Sequence, residues 1–192
     1  MTLLRGLPWT RYVSRTVLHV PEARVPDVLY GDYNPSGKLP VPFYASDSQL
    51  PDYEDYGMPG HTYRFLKEKP LFAFCHGLSY TGFEVVRARV RFVRLVVKVR
   101  NTGHRDGAET VQLYVRRPGN VAGPLKTLRG FRRVDVPAGR TRRSVIRLED
   151  RTFDWWSNET QRVQPLEGEY ELLIGTSSED DGLNVLKYKY KG

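Results

Sequence analysis

From Glu84 onward the chain alternates apolar and basic residues with a period of two. Ala88, Val90 and Phe92 point one way, and Arg87, Arg89 and Arg91 point the other. Such alternation describes a strand with one buried and one solvated face. The parity then changes. Leu95, Val97 and Val99 become the apolar set, opposite Arg94, Val96, Lys98 and Arg100. A slip of one residue sends every side chain to the other face, so a bulge or tight turn must stand near Val93.

The same reading continues to the C-terminus. Asn101-Thr102-Gly103 and Asp106-Gly107 mark a turn, and Val111, Leu113 and Val115 make the next strand. A strand surrounds Phe131 and Val134, a turn follows at Pro137-Ala138-Gly139, and Ser144 to Leu148 alternate again. Glu169 to Ile174 and Val185 to Tyr190 supply two more strands. About seven short strands without a long helix fit an immunoglobulin or fibronectin type III-like antiparallel β-sandwich, which needs about 100 residues. The expected domain is 84–192. Residues 27–83 are loop-rich. Asn34-Pro35-Ser36-Gly37 is a turn, Leu39 to Phe43 reads as an extended edge segment, and 45–72 as a long loop. Residues 1–26 show no clear period, and Pro8, Pro21 and Pro26 interrupt any helix there.

Composition narrows the classes. A hydrophobic share of 40% with 12% aromatics argues for a folded chain. The lone Cys75 excludes an intrachain disulfide and a cysteine-rich zinc site. No apolar run reaches the roughly 20 residues of a membrane span, and the N-terminus lacks a signal-peptide core. The expectation is that the chain as written stays in the cytoplasm, or that its export signal lay on a missing part, and that it does not enter a membrane. A net charge of +8 permits polyanion contact. The simpler expectation is a solvated arginine face that also guards a sheet edge against aggregation. Nucleic acid is not the expected partner, because exposed aromatics do not interleave with the charges.

Three stretches carry a resemblance in their order and spacing. They are Gly31-Asp32-Tyr33-Asn34-Pro35-Ser36-Gly37-Lys38-Leu39-Pro40, Gly77-Leu78-Ser79-Tyr80-Thr81, and Asn101-Thr102-Gly103 with Asp106-Gly107. Lys126 to Phe131, Gly168-Glu169-Tyr170 and Gly175-Thr176-Ser177-Ser178 add to them. Over about 27–190 the chain resembles the C-terminal part of glycoside hydrolase family 3, the exo-acting β-glucosidases and β-xylosidases. The resemblance implies a remnant of an α/β sandwich domain followed by a fibronectin type III-like domain. It implies hydrolysis of β-glycosides for a parent enzyme. It places the nucleophilic aspartate on a (β/α)8 barrel and the acid/base glutamate upstream of residue 27, so it transfers no catalytic residue here. The implied partner is that barrel. Departures from the family pattern are Phe74-Cys75-His76-Gly77 in place of Phe-Gly-Tyr-Gly, His61 in place of an arginine, and a short stretch from Phe83 to Asn101. Residues 1–26 do not resemble the family's preceding helix, which points to a shifted frame or truncated gene.

Glycoside hydrolysis needs two carboxylates about 5–9.5 Å apart across the scissile bond. Asp52, Glu54 and Asp55 are the only local candidates and fit badly, lying in a loop without an apolar wall. Tyr53, Asp55, Tyr56, Tyr63 and Arg64 are the candidate substrate contacts, with rings able to stack on sugars. Trp155-Trp156 are read as core before ligand. His19, His61, His76 and His104 have no metal-ligand spacing, so neither metal nor cofactor is expected. His76 and Cys75, adjacent on an extended segment, make a poor catalytic dyad. Two functions remain in play. One is a non-catalytic, structural C-terminal portion of a β-glycosidase. The other is a free-standing module that binds polysaccharide or polyanion.

Overall fold

A computed structural model describes residues 25–120 and 123–192. The atypical segment read over 1–26 therefore lies almost wholly outside the described residues.

Nine strands follow in order: β1 Phe83–Arg91, β2 Arg94–Asn101, β3 Gly107–Arg116, β4 Thr127–Val136, β5 Thr141–Arg147, β6 Asp154–Ser157, β7 Arg162–Pro165, β8 Gly168–Gly175 and β9 Asn184–Tyr190. Strands β1-β2-β5 form one sheet and β4-β3-β8-β9 the other, all antiparallel. The two pack face to face as a sandwich, and β6-β7 is a separate hairpin. The parity change resolves into two devices. Phe92 and Val93 make a tight turn between β1 and β2, with Phe92 at φ +52°. A bulge between Val85 and Arg87 re-sets β1 against β2. Phe92 thus stands on the turn, 95% exposed, and not on the apolar face where alternation put it. The hairpin β6-β7, absent from the strands read in the sequence, is a further difference. Its strands are four residues each, too short to establish a period.

The core lies between the sheets. Leu95, Val97, Val99, Val111, Leu113, Val115, Leu172 and Ile174 have no exposed surface. Burial of each such side chain contributes about 1.5–3 kcal/mol. At one end a single 3-10 turn, Asp150–Phe153, is held by a reciprocal Glu149–Thr152 capping box. It drives Phe153 into the sandwich, where its ring stacks on Tyr190 at 4.3 Å and on Tyr188 at 5.3 Å. The sheets approach closely at Gly130, where a Cβ would meet the Ile146 Cγ2 at 2.7 Å.

Residues 25–83 lie against this sandwich with little regular structure. Helix α1, Val25–Tyr30, tolerates Pro26 in its first turn, where no intrahelical donor is lost. Gly31, at φ +86°, ends it in the left-handed conformation. The segment after Gly37 runs antiparallel to 72–76. Leu39 donates to His76 at 2.8 Å, Cys75 to Leu39 at 2.8 Å, and Phe43 pairs with Phe72. The edge segment read from Leu39 to Phe43 is extended but joins neither sheet, since Pro40 and Pro42 have no N–H to give. Helix α2, Thr62–Phe65, is one turn inside the long loop.

Candidate functional site

The three leading motifs read from the sequence meet at the seam between residues 25–83 and the sandwich. Asn34 is its first hub. Its Oδ1 accepts from Ser79 Oγ at 2.9 Å and from the Tyr80 N–H at 2.8 Å, while its Nδ2 donates to the Asp106 carbonyl at 2.9 Å. One amide side chain thereby joins the Tyr33-Asn34-Pro35 turn, the Ser79-Tyr80 segment and the Asp106-Gly107 turn. Tyr80 extends the joint by donating its hydroxyl to the Val28 carbonyl of α1 at 2.6 Å.

Asn101 is the second hub and has no exposed surface. Its Nδ2 donates to the Arg105 carbonyl at 2.7 Å and the Val136 carbonyl at 2.9 Å. Its Oδ1 accepts from Thr81 Oγ1 at 2.5 Å and the Gly103 N–H at 3.0 Å. Sequence identified Asn101 as a turn former. It is the last residue of β2, and its amide closes the turn, β4 and the Thr81 segment together. Gly103 and Gly107 leave room for this: Thr81 and Asn34 atoms lie within 3.0 Å of where their Cβ atoms would stand.

The third joint is ionic. Lys38 Nζ reaches Glu109 Oε1 at 2.7 Å, with the two side chains 16% and 9% exposed. A nearly buried pair of this kind is costly to break from one side, because a lone charge stays behind. Spacing alone does not connect positions 38 and 109, and sequence reasoning missed the pair. Next to it, Cys75 occupies the left-handed region at φ +62°. Burial pushes its thiol up from the ordinary value, against the Lys38 charge. His76 is pushed down, chiefly by burial and then by Lys38.

The structure divides the candidate substrate contacts. Tyr53 and Tyr56 are 95% and 91% exposed on one loop, with Asp55 exposed between them. Asp55 Oδ1 accepts from the Gly57 N–H at 2.8 Å, and Asp52 Oδ1 from the Glu54 N–H at 2.9 Å, so both brace their own turns. Tyr63 faces the other way. Its ring stacks on Phe74 at 4.3 Å and meets Tyr114 edge-on at 5.8 Å, and its hydroxyl accepts from the Leu128 N–H at 3.0 Å. It helps join α2 to β3 and β4.

Arg64 lies apart from both groups. Its guanidinium stands 5.6 Å from the Phe65 ring centre, at a cavity of about 500 Å³ lined also by Arg129, Asp154, Trp155 and Trp156. Arg129 reaches this cavity because β4 bulges there, Leu113 pairing with Gly130 and Tyr114 with Leu128. Burial lowers its guanidinium from the ordinary value, Asp154 opposes that, and Arg64 adds to it. Trp155 is 6% exposed and belongs to the core, whereas Trp156 is 51% exposed.

Other carboxylates gather at a second cavity of about 380 Å³, between the 66–73 strip and the turn 178–181. There Lys69 binds Glu179 at 3.0 Å and Asp181 at 3.5 Å, and Lys126 binds Asp180 at 2.6 Å. Each of these three carboxylates is engaged by a lysine, an arrangement of ion pairs and not of an acid beside a base. Among the described residues no group of three or more His, Cys, Asp or Glu side chains could hold a metal, and no helix is long and apolar enough to cross a membrane.

Comparison with known proteins agrees with this geometry. The chain matches the family model for the glycosyl hydrolase family 3 C-terminal domain over residues 21–80 and that for the fibronectin type III-like domain over 109–178. It is 48% identical over 168 residues to a xylan 1,4-beta-xylosidase of Xylanibacter ruminicola, spanning 84% of this chain and 19% of the relative. It is 35% identical over 178 residues to thermostable beta-glucosidase B of Acetivibrio thermocellus, spanning 80% and 23%. Among solved structures, the β-glucosidase DesR of Streptomyces venezuelae superposes with a TM-score of 0.74 at 31% identity, over 86% of this chain and 24% of that one. The family 3 β-glucosidase of Bifidobacterium adolescentis gives 0.73 at 28% identity, over 87% and 27%. The chain thus spans about a fifth to a quarter of the relatives it matches. On sequence and fold alike the chain belongs to glycoside hydrolase family 3, corresponding to the C-terminal portion of its enzymes with the fibronectin type III-like domain included.

Proposed function

We propose that the chain works as the non-catalytic C-terminal portion of a β-glycosidase acting on terminal β-linked glucose or xylose. In this reading residues 27–83 are the tail of the α/β domain with its linker, 84–192 are the sandwich, and the partner is a (β/α)8 barrel. The observation that carries it is the use to which the motif residues are put. Asn34, Lys38, Tyr80 and Asn101 spend their polar groups on the seam. Asp52 and Asp55 each use a carboxylate oxygen to brace an exposed loop. The role that remains is to hold the end of an α/β domain on a rigid sandwich.

A chimera tests this. The corresponding fifth of the Xylanibacter xylosidase is replaced by this chain, and aryl β-xyloside hydrolysis is measured. The expected result is an active chimera beside an inert isolated chain. An inactive but folded chimera would overturn the structural role.

A second reading has its own observation. Tyr53 and Tyr56 stand almost fully exposed on one loop with Asp55 between them, and exposed rings of this kind suit sugar stacking. If this loop holds polysaccharide, a xylan gel retards the chain, retardation survives added salt, and Tyr53→Ala with Tyr56→Ala removes it. Equal mobility of wild type and variant would end this reading.

A further inference from the structure

The outer face of the sheet β1-β2-β5 is almost wholly cationic, in a way that only the strand register reveals. Arg87, Lys98 and Arg143 stand opposite one another in a single cross-strand row. Arg91, Arg94 and Arg147 form another. Between them Arg89 shares a row with Val96 and Val145, and Arg100 shares the fourth with Glu84 and Thr141. Eight cations therefore share one face with one carboxylate. With strands about 4.8 Å apart and same-face residues about 6.7 Å apart, the patch measures about 10 by 20 Å.

This face is not the interleaved salt-bridge surface of an ordinary solvated sheet. Among the described residues none of the eight makes an ion pair with a carboxylate. Like charges directly opposite across strands destabilise a sheet. The repulsion is visible at Arg89, the half-buried centre of the face, whose guanidinium is lowered first by Arg91 and then by burial, Arg87 and Arg143. Val96, although it faces outward, is only 5% exposed between these neighbours. An arriving polyanion would meet a close cationic array and relieve repulsion already present in the free chain.

We propose that this sheet face binds a carboxylate-bearing polysaccharide. Charge complementarity identifies a polyanion, and the missing rings point away from nucleic acid. None of the three strands presents an aromatic outward: Phe83 packs on the core, and Phe92 stands on the turn beyond the last row. Single-strand nucleic-acid surfaces pair their charges with such stacking platforms. The choice of a saccharide over other polyanions rests on the glycosidase reading. Its failure is distinguishable from that reading's failure, because chimera activity does not pass through this face.

The test uses the full chain, polygalacturonate as probe, and two variants of equal charge loss. Arg87→Gln with Arg143→Gln empties two positions of one row, and Lys187→Gln with Lys189→Gln removes two exposed lysines of β9. All four side chains are exposed, so both variants should stay folded, and the arginine variant should melt no lower than wild type because it removes like-charge neighbours of Lys98. The expected result is binding at about 20 mM salt that weakens about tenfold or more by about 200 mM. The arginine variant should weaken binding about tenfold, and the lysine variant by less than about twofold. Equal losses in the two variants would reduce the effect to net charge and overturn the proposal. So would tighter binding of single-stranded DNA of similar length, or no binding at low salt.

Discussion

Replacing Asn101 is the sharpest probe of the seam. Its amide makes four hydrogen bonds at zero exposure. Asn101→Ala strands the buried Val136 carbonyl, at about 1–3 kcal/mol for an unmet buried acceptor. It also removes three bonds whose partners lie nearer water, each contributing about 1 kcal/mol net. The sum is about 4–6 kcal/mol, a large share of a typical domain's 5–15 kcal/mol. Asn101→Asp keeps the shape and both acceptor bonds but turns an oxygen toward two carbonyls and buries a charge. It should cost at least as much at pH 7. Its burial raises the new carboxyl's pKa, so its deficit relative to wild type should shrink as pH falls and a proton restores one donor. Urea unfolding followed by circular dichroism measures both, as a lowered midpoint at constant slope. A loss of under about 1 kcal/mol for either variant at pH 7 would refute the view of Asn101 as a satisfied buried hub.

Other predictions concern the same seam. Lys38→Met should cost about 3–5 kcal/mol by isolating Glu109, and adding Glu109→Gln should recover most of that in the same unfolding assay. Cys75→Gly should exceed Cys75→Ala in stability by about 1 kcal/mol, since only glycine enters the left-handed region without a Cβ penalty; equal stabilities would count against strain there. His76 has its folded pKa depressed below the unfolded value near 6.5. Its contribution is therefore complete above that pH and is lost as pH falls through the lower folded value. His76→Gln should flatten the pH dependence of the urea midpoint below about pH 6.5, and an unchanged slope would refute the assignment.

Strand alternation makes the sandwich legible in the sequence itself. Leu95, Val97 and Val99 lie in the core as their spacing requires, and the parity change near Val93 is the β1-β2 turn. Legibility ended where contact is not periodic. Lys38 and Glu109 are joined across 71 positions by a fold that brings an irregular segment onto β3. Arg129 reaches Trp155 only through a β4 bulge. Tyr63 looks like Tyr53 and Tyr56 in sequence, but α2 turns it onto Phe74. The arginine stripe was readable along β1 and β2, while its extension by Arg143 and Arg147 required the pairing of β2 with β5.

The most direct test of the central claim is hydrolysis of aryl β-glucoside and aryl β-xyloside by the purified 192-residue chain. A chain whose polar motif residues serve a seam should give no turnover above buffer. Turnover that disappears on changing Asp52, Glu54 or Asp55 would contradict the account and place a working carboxylate pair in the exposed loop.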